Sequence, residues 1–239
     1  MASSSPGRHY LDGHWSREDV YIVGGGPSLI GADLSWLDGK RAIAVNYGVA
    51  VWPHADILYG QDLAMWTECV PSVGYRGLVV TSFPAPPENY RGVAMDPTHE
   101  LVWPRSFADP MPIFAKSGTG AIAIADMLGA GMIFLLGFDG RGPSSRVSHS
   151  GRFPPASPEH QSRDRYRDAA RHIEEMRWAS YHASAQIVNL SLGSSLDMFP
   201  VVSRAVPYVC TACGATDASG GSCPVCEIPM RDVSAMCMT

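Results

Sequence analysis

A mostly parallel, Rossmann-like α/β sheet flanked by helices, with a small C-terminal zinc ribbon, is the architecture that this sequence of 239 residues predicts. Three observations predict it. Short β-branched and aromatic runs alternate with longer stretches between residues 19 and 200, the pattern of strand–helix–strand units that build parallel sheets. The first of those runs ends in Gly24-Gly25-Gly26, a turn that brings backbone amides to the end of a strand. Two Cys-x-x-Cys pairs stand close together near the C-terminus, at Cys210/Cys213 and Cys223/Cys226.

Residues 1–18 read as a disordered leader. Asp19-Val-Tyr-Ile-Val23 then reads as a buried strand entering the glycine turn. Arg41–Val45, Ala55–Tyr59 and Gly77–Thr81 are three further strand candidates, each a short apolar run. Residues 83–112 are proline-rich and irregular, a surface excursion with short strands. Gly118 to Leu128 is small and apolar, a helix able to lie close on a sheet, and Gly131–Leu136 after it is the most hydrophobic strand in the chain. Residues 140–158 are rich in Gly, Pro and Ser, and a loop of that length in a compact domain is usually functional.

Ser157-Pro158-Glu159 makes a helix start, with proline in the first turn. Tyr166, Ala169, Ala170, Ile173, Met176 and Ser180 mark one face of the long helix that follows, and Arg and Glu fill the other. Gln186–Leu190 is the last strand of the sheet. These elements divide the chain into the leader, a main domain over 19–204 and a tail over 205–239.

Composition narrows the function. With 46% hydrophobic residues the chain is too apolar for disorder. No run approaches the roughly 18 apolar residues that span a bilayer. The polar start MASSSPGRHYLDGHW lacks a secretory core. The expected compartment is therefore the cytoplasm, where paired cysteines serve as metal ligands more often than as disulfides. The net charge is −5, yet residues 141–177 hold eight Arg against five acids. A general nucleic-acid binder is poorly served by such a balance, while a local phosphate site stays open.

In the tail, the spacing of Cys210, Cys213, Cys223 and Cys226 brings four thiolates to one tetrahedral centre, as structural zinc requires. Two disulfides are the alternative. Ribbons of this kind dock nucleic acid, dock a partner, or staple a small fold that lacks a core. Cys69 stands alone and reads as a packing residue.

The candidate site begins at Gly24-Gly25-Gly26-Pro27-Ser28, a turn able to cradle a phosphate or a nucleotide. It departs from the dinucleotide fingerprint, because Leu29 replaces the third glycine and Asn46 stands near the expected acidic residue. Further along come Ala44-Val45-Asn46-Tyr47, Tyr59-Gly60-Gln61-Asp62, Ser117-Gly118-Thr119-Gly120 and Leu135-Leu136-Gly137-Phe138-Asp139. Over residues 20–200 this succession resembles two related groups, the bacterial CMP-sugar-dependent sialyltransferases and the MptE-like family with its motility accessory factor glycosyltransferases.

The resemblance implies roles residue by residue. Gly24 to Ser28 would hold the nucleotide's phosphate and ribose. Asn46 would contact the nucleotide, with Ser117, Gly118 and Thr119 near it and the donor sugar. Asp139 would lie beside the nucleoside and, with His149, is a candidate catalytic residue. His149 would act as the acceptor's base, its alternative being an exposed loop histidine. Asp62 matches an aspartate of the pyrophosphokinase branch. The phosphate-binding tyrosines of the sialyltransferase loop are not evident in 140–158, where Arg141, Arg146 and Arg152 stand instead.

The expected activity is transfer of a sugar from a nucleotide-activated donor to an acceptor hydroxyl, with a hydroxymethylated base in viral DNA, a glycan or a protein as the candidate acceptors. Two rivals stand beside it. One is diphosphate transfer from ATP to a small alcohol, with Mg²⁺ on Asp62 and Asp139. The other is a non-catalytic adaptor that binds a nucleotide or a partner. Histidine suits the base because it titrates near neutral pH.

Overall fold

The computed structural model describes residues 11–60, 70–81, 90–92, 103–109, 114, 116–140, 165–191, 193–201, 208–209, 216–217, 221–222, 227 and 229–232. In chain order the strands of the main body are β1 (Asp19–Val23), β2 (Arg41–Val45), β3 (Ile57–Tyr59), β4 (Leu78–Thr81), β5 (Tyr90–Gly92), β6 (Met132–Leu136) and β7 (Gln186–Asn189). Four helices accompany them: α1 (Gly48–Val51), α2 (Val70–Val73), α3 (Ser117–Met127) and α4 (Arg165–His182). Among the described residues these strands form one seven-stranded sheet in the order β5-β4-β3-β2-β1-β6-β7. Every neighbouring pair is parallel.

The strands form where expected because buried parallel strands are continuous apolar runs. β1 and β2 occupy the predicted residues. The third strand starts at Ile57 rather than Ala55, for a local reason: the Asp56 carboxylate takes the Ala42 amide at 2.9 Å, so a side chain replaces the next ladder bond. Alternation then sorts the side chains between two layers. Val20, Ile22, Ile43, Val45, Ile133 and Leu135 face α3 and α4. Tyr21, Val23, Ala42, Ala44, Met132, Phe134 and Val188 face the other way, toward α1 and the 3₁₀ turns at Pro27–Leu29 and Ser35–Leu37.

Helix α3 is buried on nearly every side, from Ser117 to Met127. Its small residues permit this. A methyl at Gly120 would overlap the Tyr59 hydroxyl, so only glycine lets the helix rest on β3. Met176 and Ala179 of α4 are fully buried on the same layer, as the helical spacing in the sequence implies.

Two expectations need correction. Residues 11–18 are not part of a disordered leader. Leu11 and Trp15 are buried in the α3/α4 layer. The amides of Gly13, Trp15 and Arg17 donate to the carbonyls of Met127, Leu128 and Gly129 at 2.9, 2.7 and 2.8 Å, satisfying the acceptors that a helix end leaves bare. Likewise, part of the stretch 83–112 is core rather than a surface excursion. Trp103 is buried, and its indole Nε1 donates to Asp126 at 2.8 Å while its ring packs edge-on against Trp178. Both segments hold their place through partners distant in the chain.

The C-terminal strands β8 (Tyr208–Val209), β9 (Thr216–Asp217) and β10 (Arg231–Asp232) form a small antiparallel sheet in the order β10-β8-β9. It is seated against the main body. Both terminal nitrogens of Arg231 donate to the Asp19 carboxylate, and its guanidinium lies 5.9 Å from the centroid of the Phe134 ring. Met230 beside it is buried. Cys69, Cys210, Cys213, Cys223 and Cys226 lie outside the described residues. No helix among those described is long and apolar enough to cross a membrane.

Candidate functional site

The chain leaves β1 toward β2 on one side and returns through β6 on the other, so the strand order reverses direction at the β1/β6 pair. In open parallel sheets the crevice beyond the carboxyl ends of such strands is the usual ligand site. Here it is lined by the turn after β1, Gly24–Ser28, and the turn after β6, Gly137–Gly140.

These two turns are tied to each other. The amide of Gly24 donates to Leu136 O at 2.7 Å and that of Gly26 to Gly137 O at 2.8 Å. The Ser28 hydroxyl donates to Asp139 Oδ2 at 3.0 Å, and the Ser28 amide reaches the same oxygen at 3.4 Å. Gly26 has to be glycine, because a Cβ would overlap the Asp139 carboxylate and the Gly137 carbonyl. Gly137 itself adopts a left-handed φ of 71°, which turns the chain toward Asp139.

The amides of Gly24 and Gly26 thus donate inside the protein, that of Ser28 lies 3.4 Å from Asp139, and Pro27 has none. Gly25 alone contributes an exposed backbone position to the turn.

Asp139 is held from behind by a serine-rich strap that sequence reasoning did not single out. The Phe138 amide donates to Ser191 Oγ at 2.8 Å, and the Phe138 carbonyl accepts from Asn189 Nδ2 and Ser194 Oγ at 3.1 and 2.7 Å. The Asp139 carbonyl accepts from the Ser195 amide at 2.9 Å. Asn189 and Ser191 are fully buried. The available signal was the cluster Asn189-Leu-Ser191-Leu-Gly-Ser194-Ser195 directly after a strand, since short polar side chains there commonly bond to nearby backbone.

The start of α3 completes the crevice. Methyl groups on Gly24 and Gly118 would lie 3.0 and 2.8 Å from the two edges of the same Phe138 ring, so that ring fills the space between turn and helix. Lys116 precedes α3 in an extended conformation without capping it through its side chain, the Thr119 amide donates to Lys116 O at 3.2 Å, and the Ser117 and Gly118 amides have no partner among the described residues. Thr119 is fully buried, and its Oγ1 has no hydrogen-bond partner among the described residues. On the β2 side, Asn46 adopts a left-handed φ of 49°, which asparagine tolerates better than most residues. Its amide donates to Tyr59 O at 3.0 Å, and its Oδ1 is buried without a partner among the described residues.

Gly24, Gly25, Gly26, Pro27, Ser28, Asn46, Ser117, Gly118, Thr119 and Asp139 thus all lie along the carboxyl edge of one sheet. Asp62 and His149 lie outside the described residues, as do the four tail cysteines. Among the described residues no group of three or more His, Cys, Asp or Glu is arranged to hold a metal.

No family model matches the chain. No curated protein matches it either. Among solved structures, the chain is similar to the sialyltransferase CstII from Campylobacter jejuni in complex with cytidine-5′-monophosphate, with a TM-score of 0.49 and 14% identity over 78% of this chain and 85% of that one. It is also similar to an alpha-2,3-sialyltransferase from Campylobacter jejuni in apo form, with a TM-score of 0.41 and 15% identity over 77% and 80% of the two chains. A third is the sialyltransferase CST-II in complex with a trisaccharide acceptor and CMP, at a TM-score of 0.45 and 13% identity over 77% and 86%.

Proposed function

We propose that this protein is a glycosyltransferase that moves a sugar from a nucleotide-activated donor to an acceptor hydroxyl. The observation that carries the reading is the crevice at the β1/β6 reversal, where the buried Asp139, the Gly24–Ser28 turn and the uncapped start of α3 stand around one phenyl ring. The order of sequence motifs shared with the CMP-sugar and MptE-like families supports the same reading.

In this reading the acceptor oxygen attacks the anomeric carbon of the donor sugar. The bond from that carbon to the nucleotide's phosphate oxygen breaks, and its electron pair leaves with the phosphate. The first amides of α3, at Ser117 and Gly118, stabilise the charge that develops there in this reading. The acceptor's proton passes to a base, for which His149 in the loop before α4 is the candidate. The tail cysteines hold a structural zinc that staples β8, β9 and β10, consistent with a module too small to build a core.

The experiment is thermal stabilisation by CMP, UDP, GDP and ATP, each with and without Mg²⁺, followed by transfer assays from the matching sugar nucleotides. Acceptors are an oligosaccharide, a peptide and hydroxymethylated DNA, and products are weighed by mass spectrometry. Stabilisation by a pyrimidine or purine sugar-nucleotide product without metal, with mass transfer to one acceptor, is the expected result. Response to ATP only with Mg²⁺ would move the protein to diphosphate transfer. Silence across the panel would leave a non-catalytic adaptor. A shifted nucleoside mass from the DNA arm would identify a modified base as the acceptor.

A further inference from the structure

Gly24 follows β1, Gly118 lies in the first turn of α3, and the Phe138 ring spans the gap between them. A Cβ on Gly24 would lie 3.0 and 3.1 Å from Cε2 and Cδ2 of that ring. One on Gly118 would lie 2.8 and 3.5 Å from its Cε1 and Cζ, and 2.8 Å from Met176 Cε. Phe138 is 7% exposed and Met176 is fully buried. The floor beneath the first turn of α3 is therefore apolar and closed by two side chains of the core.

That floor does not yield. The Phe138 amide donates to Ser191 Oγ at 2.8 Å, and its carbonyl accepts from Asn189 Nδ2 at 3.1 Å and Ser194 Oγ at 2.7 Å. Asn189 Oδ1 in turn accepts the Ser191 amide at 2.9 Å. Drawing residue 138 backward would break these buried hydrogen bonds, each costly to leave unmade. Turning the ring aside would press it into a close-packed layer with α3 and α4. On either wall a methyl group already crowds the ring, so a ligand group that needs depth here collides with it.

We propose that Phe138 is a specificity-determining residue whose ring sets the depth of the crevice under the first turn of α3. It limits the transferred group to sugars without a bulky branch on the side turned to α3, an acylamino group above all. A plain sugar ring rests above the phenyl ring, whereas the branch strikes it. The proposal rests on the glycosyltransferase reading of the site and names the class of donor that the site accepts. Phe138 moves no proton and stabilises no charge; its effect is on which donor fits.

The test is isothermal titration of the full chain with donors paired by nucleotide. The pairs are UDP-glucose beside UDP-N-acetylglucosamine, GDP-mannose beside GDP-N-acetylmannosamine, and CMP-ketodeoxynonulosonate beside CMP-N-acetylneuraminate. Wild type is expected to bind the plain member of at least one pair about tenfold or more tightly than its acetamido counterpart, the range for a steric misfit in a closed pocket. Phe138→Leu shortens the side chain and should shrink that gap to about threefold or less, with circular dichroism confirming the fold. The wild-type comparison stands even if the variant fails to fold. Equal binding within every pair, preference for the acetamido member, or an unchanged gap in a folded Phe138→Leu protein would each overturn the proposal and leave the glycosyltransferase reading intact. Failure of every sugar nucleotide to bind would remove both.

Discussion

Arg231 and Asp19 form a two-pronged ion pair between the last described strand of the chain and the first. Asp19 begins β1 and lies in register with Met132 of β6, so the contact sits at the amino ends of the two strands whose carboxyl ends line the candidate site. Arg231 also covers the Phe134 ring, and Phe134 stacks on Tyr21 with centroids 5.1 Å apart. The C-terminal module is thus seated on the sheet face that α3 and α4 leave open.

Charge reversal tests that seating. Arg231→Glu should lower stability by about 1–2 kcal/mol, the range for a bidentate pair that is neither fully buried nor fully exposed. For a chain of this size each kcal/mol moves the melting temperature by about 2–4 °C. Adding Asp19→Arg should restore most of the loss, because the pair is re-formed with its signs exchanged. Absence of rescue in the double variant would mean that the module is held by packing alone.

Glycine positions in the turn after β1 should differ sharply. Gly26→Ala drives a methyl into the Asp139 carboxylate and the Gly137 carbonyl and should cost about 2–4 kcal/mol in urea denaturation. Gly25 is exposed, so Gly25→Val should keep the fold while blocking approach of a ligand to the backbone. A folded Gly25→Val protein with unchanged nucleoside affinity would place the ligand elsewhere.

The base candidate makes a kinetic prediction. His149→Ala should leave nucleotide affinity near wild type and lower turnover by roughly 10²–10⁴-fold, the usual effect of a lost general base. Retained turnover would transfer the role to another group.

Metal content tests the tail. Purified protein should carry one zinc per chain, and Cys→Ser at Cys210, Cys213, Cys223 or Cys226 should release it and raise proteolysis of residues 205–239. Metal-free protein with a protease-resistant tail would end the zinc assignment.

Alkaline unfolding should reveal a buried tyrosine. Burial, reinforced by the nearby Asp56 charge, pushes the Tyr75 hydroxyl well above its ordinary range, and its proton is donated to Ala55 O at 3.0 Å. Burial raises Tyr21 in the same direction, with Asp19 adding to it. In the unfolded chain both ionise near pH 10, whereas the folded protein keeps them neutral. Their contribution is complete below that pH and falls as pH rises above it, by about 1.4 kcal/mol per pH unit for each tyrosine. Urea midpoints between pH 8 and 11.5 should follow that slope, and Tyr75→Phe should roughly halve it after losing about 1 kcal/mol at neutral pH. An unchanged slope in Tyr75→Phe would assign the alkaline loss to other groups.

What the sequence determined by itself was the part of the fold written in local pattern. β1 and β2 lie on the runs Asp19–Val23 and Arg41–Val45, and α3 on the small apolar stretch after Ser117, because burial on both sides of a parallel sheet demands such runs. The turn at Gly24–Ser28 and the strand end at Asp139 were legible for the same reason, as glycine and short polar residues stand where a buried strand must stop. Tertiary structure decided what those residues do to one another. Ser28 and Asp139 are 111 positions apart, yet their bond ties the turn after β1 to the turn after β6. The burial of Trp15 and Trp103, the serine strap on residues 138–140 and the grip of Arg231 on Asp19 likewise depend on neighbours that only the folded chain brings together. Periodicity records which face a side chain shows to the core, and carries nothing about the distant partner that will satisfy its polar atoms.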